Sequence, residues 1–182
     1  MDFEVGEEVL GYPLGYLSLA YPKVHEYERA AFVEYVKEFG VSGVQLEFIT
    51  VLAAGQETWP LGDDEPAIQD GKKKFGMDPR TMDNADEQWT RLRASYVTQL
   101  VRELREDLAK LGNQVELLLA TEGVWADPAG AYKKMVDWPA WVNEGLIDVL
   151  YPRFWIGDPH YPLSYPASET GSWFVRPPGS SR

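Results

Sequence analysis

Val41-Ser42-Gly43-Val44-Gln45-Leu46-Glu47-Phe48-Ile49-Thr50 is the stretch that decides how the rest of the chain is read. It is short, rich in β-branched residues and flanked by helical sequence, so it predicts the buried strand of a βα unit. Side chains alternate between the two faces of a strand. Val44, Leu46 and Phe48 therefore share one face, and Gly43, Gln45 and Glu47 share the other. The apolar face packs on helices. The face with Gln and Glu looks into a barrel interior or cleft, with Glu47 at its mouth. The plainer alternative is a glutamate fraying at a strand end.

Toward the N-terminus, Phe32, Tyr35, Val36 and Phe39 recur at helical spacing. They predict an amphipathic helix with Pro22 in its first turn and Gly40 closing it. Before it, Gly6, Gly11, Pro13 and Gly15 predict loop with one short strand at 16–19. Beyond the central strand, residues 52–83 hold Gly55, Pro60, Gly62, Pro66, Gly71, Gly76 and Pro79, and read as one long loop. Loops of that length in compact domains are functional or disordered. Trp59 and Phe75 argue for order in part of it, and Lys72-Lys73-Lys74 reads as a solvated face.

Next comes the strongest helix, predicted from Asn84, with Asn84 and Glu87 at capping-box spacing. Trp89, Leu92, Tyr96, Leu100, Leu104, Leu108 and Leu111 form its apolar stripe, and Gly112 ends it. Val115 to Thr121 is a second buried strand of the same parity as the first, so Glu122 falls on the face of Glu47. A short helix capped by Asp137 buries Trp138, Trp141 and Val142, and Gly145 stops it. A third strand, Ile147 to Tyr151, leads to Pro152-Arg153-Phe154-Trp155.

Strands alternating strictly with helices predict an α/β fold of parallel βα repeats, a partial (β/α)8 TIM barrel. Residues 1–155 would form three to four βα units with the long loop 52–83, and 156–182 an irregular C-terminal tail. Such folds build their sites at the carboxyl ends of the strands, where Glu47, Glu122 and Arg153 fall.

Composition narrows the chemistry. The net charge of −12 argues against nucleic acid or an anionic membrane as partner. No apolar run spans a bilayer, the first residues lack the pattern of a signal peptide, and the cellular compartment stays unreadable. With no cysteine there is no thiolate nucleophile and no Cys-ligated metal. His25 and His160 lack metal-ligand spacing, and neither a dinucleotide fingerprint nor a phosphate loop is present. Neither a cofactor nor a metal is expected.

What remains is carboxylates rimmed by aromatics, with seven Trp and ten Tyr in the chain. That combination suits sugars. Glycosidic cleavage needs one carboxyl as acid and another as nucleophile or base, and aromatic faces stack on pyranose rings. Glu47 and Glu122 are the candidate catalytic residues. Gln45, Trp59, Trp125, Arg153 and Trp155 are the candidate substrate-binding residues.

Ala20-Tyr21-Pro22-Lys23-Val24-His25-Glu26-Tyr27 followed by Val44-Gln45-Leu46-Glu47-Phe48 resembles the glycosyl-hydrolase-like 10 group. In that group a Pro-x-Val-x-x-Tyr helix start precedes a strand ending in Leu-Asp/Glu-Phe/Tyr. Three further segments, Phe75 to Arg80, Arg91 to Thr98 and Trp141 to Asp148, match in order and spacing. The resemblance runs from about Leu17 to Trp155. It implies a (β/α)8 barrel that acts on or binds polysaccharide, with an acidic site residue at the position of Glu47. Asp is the more usual residue there, and Glu lengthens the reach.

A full barrel needs eight βα units and ~250 residues, against three secure strands here. The chain therefore reads as a fragment of a longer product or as a half-barrel that self-associates through open sheet edges. Three functions follow: a glycoside hydrolase portion, inactive as an isolated chain; a non-catalytic carbohydrate-binding remnant; or a self-associating half-barrel. Neither the sugar nor the stereochemical outcome is legible.

Overall fold

A computed structural model of the chain describes residues 8–9, 12–13, 18–47, 64–112, 115–122 and 135–153. Within them the elements run β1 (Glu8–Val9), β2 (Tyr12–Pro13), α1 (Pro22–Phe39), β3 (Gly43–Glu47), α2 (Glu65–Phe75), α3 (Glu87–Ala109), β4 (Glu116–Glu122), α4 (Trp138–Asn143) and β5 (Val149–Arg153). A single 3-10 turn, Pro79–Thr81, lies between α2 and α3. β1 and β2 pair antiparallel, and β3, β4 and β5 form a parallel sheet in that order. The arrangement is α/β, with helices and parallel strands alternating.

Each helix begins and ends for a local reason. α1 has proline in its first turn and stops at Gly40, whose φ of 60° places it in the left-handed region that favours glycine. α3 starts where Asp86 Oδ1 accepts from the Gln88 and Trp89 N–H groups, at 2.8 and 3.1 Å. The expected cap, Asn84, is engaged elsewhere. Its Oδ1 accepts from Arg93 Nη1 at 2.7 Å and its carbonyl from Arg93 Nη2 at 2.6 Å. α4 is capped by Asp137, as its sequence predicts.

The long loop expected over 52–83 is corrected in its second half, which contains α2 and the 3-10 turn. Asp64 caps α2 and Pro66 sits in its first turn, where a missing N–H costs nothing. Gly71 is inside the helix because a Cβ there would lie 2.2 Å from Pro79 Cγ. The glycine marks a close approach rather than a break. The strand expected at 16–19 is not continued at its end, where Leu19 and Ala20 lie in a turn, and 16–17 lie outside the described residues. The third strand starts two residues later than expected, at Val149, and includes Pro152 and Arg153.

One core lies between the sheet and the helices. Val44, Leu46, Leu117, Leu119 and Leu150 cover one sheet face and pack with Val36 of α1, Val97, Val101, Leu104 and Leu108 of α3, and Trp141 of α4. A smaller cluster joins Ala67 and Ile68 of α2 to Trp89 and Leu92 of α3. The stripe expected on α1 is narrower than its spacing implied. Val36 is buried and Phe32 half-buried, while Tyr35 and Phe39 are 52% and 66% exposed.

Candidate functional site

The strand register builds the site. Gly43 pairs with Glu116, Gln45 with Leu118 and Glu47 with Ala120 across β3 and β4. Across β4 and β5, Leu118 pairs with Val149, Ala120 with Tyr151 and Glu122 with Arg153. In a parallel ladder paired residues share a face. Positions 43, 45, 47, 116, 118, 120, 122, 149, 151 and 153 therefore share the face opposite the helices. Positions 47, 122 and 153 are the last of that set on their strands.

Burial follows this division. Val44 and Leu46 are buried, whereas Gln45 and Glu47 are exposed on the edge strand. On β4, Glu116 and Leu118 are half-buried and Ala120 is buried. The helix-averse face is thus polar and open at β3 and better covered toward the centre. Glu122 lies two residues beyond the partner of Glu47. With strands ~4.8 Å apart and ~3.3 Å of rise per residue, their Cα positions are about 8 Å apart.

The register brings three of the expected site positions, Glu47, Glu122 and Arg153, to the carboxyl ends of adjacent strands, with Gln45 two residues deeper. Trp59, Trp125 and Trp155 lie outside the described residues. Among the described residues, no group of three or more His, Asp or Glu side chains is placed to hold a metal ion.

The elements that carry this edge are fixed from the opposite end. At the amino end of β5, Asp148 accepts from the Leu117 N–H at 2.8 Å and from Arg105 of α3. Trp141 Nε1 donates to Thr98 Oγ1 at 2.9 Å, which joins α4 to α3. Thr98, Trp141 and Asp148 fall within segments that carried the family resemblance, Arg91 to Thr98 and Trp141 to Asp148, and there they hold helices and sheet together.

Residues 11–160 match the model of a family described as glycosyl hydrolase-like 10. The chain belongs to that family. No curated protein of known function gives a significant match to the sequence. Membership accounts for the order of helix start, central strand and later motifs, and it supports a glycosidase-like domain.

What sequence reasoning missed is the support around α2. Ser18 Oγ donates to Asp64 Oδ2 at 2.5 Å, and Tyr96 of α3 donates to Asp70 of α2 at 3.0 Å. Burial, and then the Asp70 carboxylate, push the Tyr96 hydroxyl above its ordinary pKa, so it stays a donor. An Asp followed by Glu-Pro at 64–66 was the available signal for this helix. The surrounding glycines and prolines masked it.

Proposed function

We infer that the chain acts on polysaccharide, with the glycan lying across the carboxyl ends of β3, β4 and β5 and Glu47 and Glu122 serving as the working carboxylates of a (β/α) barrel. The observation that carries this reading is the register, which aligns Glu47 with Ala120 and Glu122 with Arg153 on one sheet face. Membership of a glycosyl hydrolase-like family supports a glycan as the substrate class. Two glutamates whose Cα positions are about 8 Å apart can bring their carboxyl groups to the ~5–5.5 Å of a retaining pair or the ~6.5–9.5 Å of an inverting pair. One would protonate the leaving oxygen, and the other would attack the sugar or activate water. Gln45 would hydrogen-bond sugar hydroxyls deeper on the face. Arg153, Trp59, Trp125 and Trp155 would line its rim.

Turnover needs that face covered, because an acid catalyst works out of water. The open, polar edge at Gln45 and Glu47 supports the need for further strands against it. They would come from additional barrel units or from a second copy.

The test is glycan binding and hydrolysis by wild type and Glu47→Gln on a panel that includes peptidoglycan strands. Glycan binding that Glu47→Gln or Glu122→Gln weakens supports the reading. Binding to no glycan, or binding that neither substitution alters, rejects it.

A further inference from the structure

We propose that His25 is a proton-operated latch that ties the turn before α1, and through it the start of α2, to α3. The ring is buried, at 7% exposure. Its Nε2 lies 2.6 Å from the Leu19 carbonyl oxygen, and its Nδ1 lies 3.2 Å from Glu103 Oε2. Both of these partners are acceptors. A neutral imidazole carries one N–H and can satisfy only one of them, while the doubly protonated ring donates to both.

Glu103 offers no proton of its own. Burial pushes its carboxyl up, but hydrogen bonds from Gln99, Arg29 and His25 outweigh that and hold it below the ordinary carboxylate range. Arg29 Nη1 donates to the same Oε2 at 2.8 Å. When the ring loses its second proton, the Glu103 carboxylate, the stronger acceptor, keeps the remaining N–H on Nδ1. A bare Nε2 then faces the Leu19 carbonyl oxygen in a buried place, so the tie that gives way is the one from the ring to the turn before α1.

A chain of hydrogen bonds carries that change outward. Leu19 belongs to the turn in which the Ala20 N–H donates to Ser18 Oγ at 3.1 Å. Ser18 Oγ donates in turn to Asp64 Oδ2 at 2.5 Å. Asp64 caps α2, accepting from the Ala67 N–H at 3.2 Å through its side chain and from the Ile68 N–H at 3.0 Å through its carbonyl. The charged groups this network gathers near the ring are Arg29 on its own helix, Glu103 and Asp107 on α3, and Asp64 at the start of α2.

The position of α2 gives the latch a consequence. The 23 residues of α3 span about 34 Å and the seven of β4 about 23 Å, so α3 overshoots the carboxyl end of the sheet. α2 packs on the N-terminal half of α3, against Trp89 and Leu92. Loosening it on deprotonation would therefore loosen the scaffold beside the strand ends. The latch itself stands on hydrogen-bond geometry and does not depend on the glycan reading.

Backbone hydrogen exchange of the full chain from pH 5.5 to 8.5, corrected for intrinsic rates, tests the latch at the Ala67 and Ile68 amides. In the wild type their protection should fall about tenfold as pH rises, the worth of one charge-assisted hydrogen bond. Glu103→Gln should flatten this response, because a carboxamide can accept from the charged ring or donate to the neutral one. His25→Gln, which cannot titrate, should flatten it too and serves as the second variant should Glu103→Gln fold poorly. Ser18→Ala should lower protection of α2 at every pH and remove its dependence on the ring. A pH-independent wild type, or the same fall in a folded Glu103→Gln or His25→Gln, would overturn the proposal.

Discussion

Asp148 accepts from Arg105 through both carboxylate oxygens, at 2.6 and 3.0 Å, and from the Leu117 N–H at 2.8 Å. Its own N–H donates to the Leu117 carbonyl, also at 2.8 Å. One residue thus clamps α3, β4 and the entry to β5 together.

Removing the Asp148 side chain strands the Leu117 N–H beside a fully buried leucine. Asp148→Ala should cost about 2–3 kcal/mol, since an unsatisfied donor adds to the lost charged hydrogen bonds. Arg105→Ala should cost less, about 1 kcal/mol, because the ion pair is partly solvated. Urea unfolding decides between them. Equal losses would show that the stranded Leu117 N–H adds nothing to the ion pair, and an Asp148→Ala value near zero would show that the clamp contributes little.

Gly71 illustrates packing that outweighs propensity. Alanine is the better helix former by about 1 kcal/mol. A Cβ at Gly71 would nevertheless meet Pro79 Cγ at 2.2 Å and a Trp89 ring atom at 3.3 Å. Gly71→Ala should therefore destabilise the α2–α3 contact by about 1–3 kcal/mol and alter Trp89 fluorescence. A neutral or stabilising result would mean that α2 can shift away at no cost.

How much of this was legible in the sequence depends on whether a residue's role was local. Pro22 and Gly40 bounded α1, and the alternation in Val44 to Glu47 assigned two faces that burial matches, because strand parity and helix stops are fixed by the residues themselves. Asn84 read as the cap of α3 from its spacing to Glu87, and only the fold, by sending Arg93 to Asn84, leaves that role to Asp86. Gly71 read as a breaker because its partner, Pro79, is brought near by tertiary packing. Tyr35 and Phe39 extended the stripe on α1 because spacing gives a stripe's direction and not its width. The placement of Glu47, Glu122 and Arg153 at strand ends on one face was legible, since parity carries across a parallel register. The contact from His25 to Glu103, 78 residues apart, had no sequence signal.

Acid should weaken the α1–α3 contact separately from the histidine latch. Arg29 donates to Glu103 at 2.8 Å and to Asp107 at 2.7 Å. Hydrogen bonding from Lys110 opposes burial at Asp107, and with Arg29 holds that carboxyl below its ordinary range; the Glu103 carboxyl is also lowered. Groups lowered in the folded state bind protons more readily when unfolded. Their stabilisation is full above the unfolded values and is lost as pH falls through the folded ones. Stability should decline from about pH 4 downward, and Arg29→Met should shrink that decline. An unchanged acid limb in Arg29→Met would exclude this network as its source.

Trp59 follows Glu47 by twelve positions in the sequence, so chain connectivity permits it to reach the strand ends. As a sugar-stacking platform it should matter for binding alone. Trp59→Ala should weaken oligosaccharide binding about tenfold or more while shifting the thermal midpoint little, in keeping with ~1–3 kcal/mol for an aromatic stacking contact. A large loss of stability would make Trp59 a core residue instead.

The purified chain alone should show no appreciable glycosidase turnover even where it binds glycan. A pair of glutamates at adjacent strand ends is compatible with either hydrolytic geometry, so the carboxylates are not the obstacle. Catalysis also requires that they be held rigidly and shielded from water, so that one can remain protonated to act as acid. On β3, however, Gln45 and Glu47 are exposed, and among the described residues no fourth strand pairs with the edge of the parallel sheet. The same unpaired edge favours association, which neighbouring chains can satisfy by strand addition. Activity should therefore be absent in the monomer and should appear, if at all, with a larger assembly. Assays on a polysaccharide panel with simultaneous measurement of solution mass separate these cases. Robust turnover by a monomer, abolished by Glu47→Gln, would show that no further strands are needed and that Glu47 is catalytic in the chain as it stands.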